Sequence, residues 1–168
     1  SAAIDTIYGG CNVADVKGMA YIDIRNTSND GIGWVYGGNN VSGSVNGNTR
    51  IDVNGGVVNH IYGGSNGYYD YHEVAGQGFE VYKFGHNNDA NYLVATGTTG
   101  VPNVATTYVN IYGGTINSNV YGGGRMGDCD STHVVVNDMH LVDNCGGAPQ
   151  SATINGEVYG GGEGIYWN

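Results

Sequence analysis

Apolar and polar positions alternate in four short stretches of the chain: Ala20-Tyr-Ile22-Asp-Ile24, Thr49-Arg-Ile51-Asp-Val53, Thr107-Tyr-Val109-Asn-Ile111 and Thr132-His-Val134-Val-Val136. A two-residue period puts one set of side chains on one face of a strand, so each stretch predicts a strand with one face buried. The predicted core face is Ile22, Ile24, Ile51, Val53, Val109, Ile111, Val134 and Val136, and the four strands are expected to pair in parallel. No window carries the spaced apolar stripe of an amphipathic helix, and no apolar run is long enough to span a bilayer. Almost no helix and no membrane insertion are expected.

A second pattern lies between these strands. An apolar residue, a tyrosine and two glycines recur from Ile7, Val35, Ile61, Val120 and Val158. A similar run from Ile111 to Gly114 aligns instead with Val53–Gly56, at the end of the alternating strand. Such recurrence marks one supersecondary unit copied along the chain, and units of this kind bury their apolar faces by stacking. The first two intervals are close to one three-sided turn. The last two are longer and hold insertions at about 65–105 and 137–151, which are expected to leave as surface loops. The reading is a single all-β domain over residues 1–168, a parallel β-helix of about four coils with two loop insertions.

The corners Val35-Tyr-Gly-Gly, Val120-Tyr-Gly-Gly-Gly and Val158-Tyr-Gly-Gly-Gly, with the Thr-x-Ile-x-Val strands, resemble the glycine-rich right-handed parallel β-helix repeats of bacterial surface proteins and adhesins. These belong to the broad pectin-lyase-like architecture, and the resemblance covers everything outside the two inserts. It implies a right-handed solenoid. That architecture hosts lyases, adhesins and inert stalks, so no catalytic residue is carried over.

In a stack of parallel strands one position recurs about every 4.8 Å, and equivalent side chains form columns. Tyr8, Tyr36, Tyr62, Tyr121 and Tyr159 form one expected column above the inward-pointing Ile7, Val35, Ile61, Val120 and Val158. It either stiffens the stack or offers an aromatic platform to a glycan. The glycines behind it are expected to supply positive φ or close backbone approach. A second column, Asp23, Asp52, Asn110 and Val135, brings carboxylates together. Arg25 and Arg50 compensate them, or a bound Ca²⁺ does. Asp128 and Asp130 are further candidate calcium ligands; no other cofactor is implied.

The larger insert concentrates Tyr68, Tyr69, Asp70, Tyr71, His72 and Glu73, a composition typical of recognition loops. The alternative is a cover over the edge of the stack. Of three cysteines, Cys129 and Cys145 flank the smaller insert and are the candidate disulfide, with Cys11 left over as a buried thiol.

Composition then narrows the class. Thirty-two glycines would fit a disordered chain, but they sit at fixed offsets, and only two prolines accompany them. A net charge of −10 with five lysines and arginines disfavours nucleic acid and anionic membranes. The Ser1-Ala-Ala start reads as a processed form or an excerpt, and the chain as an exported product, extracellular or at the cell surface. Neither end carries a cap, so the surface around Ile7 and Cys11 is expected to meet that around Val158, Ile165 and Trp167 of another copy. The leading reading is a non-catalytic filament subunit or adhesin stalk, with self as partner. A carbohydrate-binding or polysaccharide-degrading β-helix using Asp23, Asp52 and Arg50 is the alternative. Ice binding is set aside because Thr49, Thr107 and Thr132 share phase with the buried residues.

Overall fold

The computed structural model describes residues 4–67, 69–74, 78–83, 93–94, 102–136 and 151–164. Its strands are β1 (Ile4–Tyr8), β2 (Ala20–Ile24), β3 (Ile32–Tyr36), β4 (Ser44–Val45), β5 (Thr49–Val53), β6 (Val57–Tyr62), β7 (Tyr69–Val74), β8 (Gly78–Lys83), β9 (Leu93–Val94), β10 (Asn103–Ile111), β11 (Gly114–Ile116), β12 (Val120–Tyr121), β13 (Asp128–Val136), β14 (Ala152–Ile154) and β15 (Val158–Tyr159). The described residues contain no helix.

Two of the three sheets are wholly parallel. The first runs β1-β3-β6-β11-β14, with β12 beside β6 and β15 beside β12; the second runs β2-β5-β10-β13, with β4 beside β10. The chain alternates between them as it advances, so sequence order becomes stacking order in both. Register follows the repeats: Ile7 pairs with Val35, Val35 with Ile61, Ile61 with Val120 and Val120 with Val158. In the second sheet Ile22, Ile51, Val109 and Val134 lie side by side. Parallel strands need a covered face, and the alternating apolar residues supply it.

Ile22, Ile24, Ile51, Val53, Val109 and Ile111 from the second sheet pack on Ile32, Val35, Val58, Ile61, Ile116 and Val120 from the first. Full burial of each such side chain is worth about 1.5–3 kcal/mol. Two members of the predicted core face differ. Val134 is only half-buried and Val136 is 38 % exposed, because β13 is the outermost strand and no described strand covers it.

A third line of pairing completes the stack. Val16 bridges Val45, Val45 pairs with Val104, and Val104 with Cys129, forming a separate small core with Ala20. The glycines divide their work between two corners. Gly56 and Gly114 stand where the chain leaves a second-sheet strand and enters the first sheet, just before β6 and at the start of β11, both at φ 88°, a conformation open to glycine at little cost. No glycine of the five Tyr-Gly-Gly corners from Ile7, Val35, Ile61, Val120 and Val158 has positive φ; the first four of those corners need glycine for close approach alone. A Cβ on Gly37 or Gly63 would lie within 3 Å of the carbonyl oxygen of Gly63 or Gly122, one strand further along the stack.

The larger insert holds the third sheet, β7-β8-β9, which is antiparallel. Its expected margins extend into the stacked structure: Ser65 and Asn66 are buried, and Asn103 begins β10.

Candidate functional site

The tyrosines form one continuous column. Ring centroids of Tyr8 and Tyr36 are 5.2 Å apart; Tyr36–Tyr62, Tyr62–Tyr121 and Tyr121–Tyr159 are each 4.9 Å apart, with planes within 15° of parallel throughout. Such pairs contribute about 0.5–1.5 kcal/mol each beyond the area they bury. The inner tyrosines, Tyr36, Tyr62 and Tyr121, are buried. Since each ring lies flat on the next, only edges and hydroxyls are left to face outward. A glycan platform needs free ring faces, and the inner rings have none.

Four side chains that no repeated motif singles out close over this column. The Trp34 and His60 rings stack at 4.0 Å with an 8° interplanar angle. Arg125 lies with its guanidinium carbon 5.4 Å from the Trp34 ring centroid, and its Nε is 3.4 Å from Glu163 Oε2. The Tyr62 hydroxyl donates to the same carboxylate at 2.8 Å. Burial pushes the phenol of Tyr36 up to about 12, against the pull of Arg125. Burial and the Glu163 carboxylate push Tyr62 higher still. His60 is held below its usual value by burial, with Arg125 acting in the same sense and Glu163 opposing. The signal in the sequence is positional: Trp34 and His60 each precede the apolar residue of a corner.

A second column lies beside the corners. Asn40 Nδ2 donates to Asn12 Oδ1 and Asn66 Nδ2 to Asn40 Oδ1, both at 2.9 Å. Arg125 and then Glu163 continue the line, through backbone bonds from Arg125 to Ser65 and from Glu163 to Gly124.

On the outward face of the second sheet, Asp23 and Asp52 are adjacent in register. Asp52 is only 4 % exposed. Arg50 Nε donates to both of its oxygens at 2.9 Å, Tyr21 Oη donates at 2.9 Å and Asn110 Nδ2 at 2.7 Å. Burial alone would raise this carboxyl, but bonds from Arg50, Asn110 and Tyr21 outweigh it and hold it below the usual range. Asp23 is taken up by Arg25 at 2.7 Å and Asn54 at 2.9 Å. The carboxylates are thus compensated by arginine and amide groups, and Asp52 has no oxygen left over for a general base. Asp128 and Asp130 are exposed on β13. Among the described residues no group of three or more His, Cys, Asp or Glu is placed to hold a metal ion.

The remaining candidates are scattered. Tyr69, Asp70, Tyr71, His72 and Glu73 lie on β7, where His72 pairs with Glu80 and Glu73 with Phe79. Tyr68, Cys145, Ile165 and Trp167 lie outside the described residues. Cys129 packs into the small second core, and burial pushes its thiol up to about 11. Cys11 is half-buried in the first corner, its backbone N–H donating to Asn39 Oδ1 at 2.7 Å. Ile7 is half-buried against the main core; Val158, at the other end, is 46 % exposed.

The threonines are internal clamps. Thr49 Oγ1 donates to the Gly63 carbonyl at 2.6 Å, Thr107 Oγ1 to Gly122 at 2.5 Å, and Thr132 Oγ1 to Gly160. Each ties a second-sheet strand across to a Tyr-Gly-Gly corner.

No protein-family model matches the chain, and no curated protein or solved structure matches it either. The functional reading therefore rests on the residues alone.

Proposed function

We propose that the chain is a right-handed parallel β-helix that serves as a non-catalytic structural protein outside the cell, stacking end to end as a filament subunit or forming an adhesin stalk. The alternation of the chain between two parallel sheets supports the helix, and the strong preference of parallel crossovers for one hand supports its sense.

One observation carries the assembly reading. Among the described residues the exposed large apolar side chains are Ile4, Val13, Met19 and Tyr21, all at or before β2, and Val136, Val158 and Tyr159, all in the last three strand regions. Of the strands between, β3 to β6 and β10 to β12 expose none. Apolar surface gathered at the two ends of a stack, beside unpaired strand edges, is surface made for a further strand. The inner columns meanwhile spend their polar groups on one another, as Asp52 and Glu163 show, which fits a scaffold better than a site of chemistry.

Light scattering and negative-stain imaging of the purified chain test this. Concentration-dependent growth into uniform fibres is expected. A monomer that persists at high concentration overturns it.

A further inference from the structure

Two phenols at the middle of the column are closed to solvent, and the indole beside them is not. Tyr36 and Tyr62 are 2 % and 1 % exposed, whereas Trp34 is half-buried. The three rings lie nearly parallel. The Trp34 centroid is 6.5 Å from that of Tyr36, with planes 3° apart, and 6.3 Å from that of Tyr62, with planes 16° apart. Indole and phenol are the aromatic side chains that give up one electron most readily, and rings held this close can exchange one without either moving.

The two phenols differ in what faces their hydroxyls. Tyr36 faces the Arg125 guanidinium, which carries donors and no acceptor and so cannot take a proton. Tyr62 donates to Glu163 Oε2 at 2.8 Å, inside the roughly 2.6–3.2 Å that direct proton transfer needs. A phenol that loses an electron becomes strongly acidic, so it holds the vacancy only where its proton can leave. Tyr62 meets that condition, and Tyr36 does not. Arg125 Nε, 3.4 Å from the same carboxylate oxygen, helps to keep the acceptor in place.

We propose that Trp34, Tyr62 and Glu163 form a one-electron relay, in which a small diffusible oxidising radical takes an electron from Trp34 and Tyr62 replaces it. In the first step the oxidant is reduced and Trp34 becomes a radical cation. In the second, one electron passes from Tyr62 to Trp34 while the phenolic proton passes to Glu163 Oε2. The indole is restored, and the products are a neutral Tyr62 phenoxyl radical, a protonated Glu163 and the reduced oxidant. The vacancy thereby moves from a partly open ring to one enclosed by Tyr36 and Tyr121, each 4.9 Å away. The relay needs no substrate pocket, so it is compatible with a structural role, and it operates whether or not the chain assembles.

Pulse radiolysis of the full chain with azidyl radicals, which oxidise indoles in preference to phenols, tests this. Indolyl absorption should decay as phenoxyl absorption rises, at a rate independent of protein concentration. Trp34→Phe should lack that phase although Trp167 remains. Glu163→Gln keeps a hydrogen-bond acceptor for Tyr62 but takes up no proton, and should slow the phase at least about 10-fold. Tyr62→Phe keeps the ring stack without the phenol and should abolish it. Matching circular-dichroism spectra establish that the variants compared are folded, and Tyr62→Phe decides the matter if Glu163→Gln is not. The relay is overturned if the phase is absent from the unmodified chain, survives in Trp34→Phe or Tyr62→Phe, or keeps its rate in folded Glu163→Gln.

Discussion

The phenol of Tyr62 donates a 2.8 Å hydrogen bond to Oε2 of Glu163, a residue 101 positions further along the chain. Glu163 also faces Arg125, whose guanidinium reaches back over Trp34. One carboxylate thereby links the last corner to the interior of the tyrosine column.

Removing that link should cost stability. Glu163→Ala leaves the Tyr62 hydroxyl without its acceptor and Arg125 without its ion pair, and a loss of about 1–2 kcal/mol is expected. Glu163→Gln keeps an acceptor and should lose less. Urea denaturation of the two variants beside the parent measures the difference.

The column should also titrate unevenly. Burial raises Tyr36 to about 12 and Tyr62 beyond it, while exposed phenols ionise near 10. Absorbance at the phenolate band is expected to rise in two stages: a first from exposed tyrosines, and a second only as the fold opens at strongly alkaline pH. A single stage centred near 10 with the fold intact would contradict the buried column.

Acid should find Asp52. Its folded carboxyl lies below the unfolded value of about 3.9. The stability it contributes is therefore complete above that pH and is lost as pH falls through the depressed folded value. Asp52→Asn should remove this part of the acid dependence, read as a smaller shift in urea midpoint between pH 6 and pH 3. Arg50→Ala, which strips the main counter-charge, should be destabilised by about 1–3 kcal/mol at neutral pH.

The threonine clamps predict a gradient. Thr107 is fully buried and donates to Gly122, so Thr107→Val should cost about 1–2 kcal/mol by leaving that carbonyl short of a donor. Thr132→Val, at the exposed end of the column, should cost less. Gly122→Ala should be worse than either, because its Cβ would meet the Gly160 carbonyl and Val134 Cγ2. Thermal melts of the three variants rank them.

The strands and the tyrosine column were legible because each repeats a period. Ile51 and Val109 are apolar at the same phase in separate stretches, and Tyr62 and Tyr121 sit in nearly identical tetrapeptides. Phase reveals the face a side chain points to and not its place in the stack, which is why Val136 and Val158 read as core yet stand exposed at the edge. The line Val16, Val45, Val104 and Cys129 escaped because each member stands singly between polar or small neighbours, Asp15 and Lys17, Ser44 and Asn46, Asn103 and Ala105, Asp128 and Asp130, too short to show alternation. Arg125 and Glu163 escaped for another reason: their side chains run along the stack, and no spacing in sequence encodes that reach.

Registers on either side of the third sheet stay intact: Ile61 still meets Val120, and Val53 still meets Ile111. Between the asparagine column and the next second-sheet strand, β3's turn of the stack crosses with Val41, Ser42 and Gly43, and β12's with Met126 and Gly127. Where those turns use a few residues, residues 67–102 fill the same gap. A chain with Val41-Ser42-Gly43 in place of residues 67–102 should therefore keep its columns, and the same gap should equally accept a foreign peptide or domain as a graft.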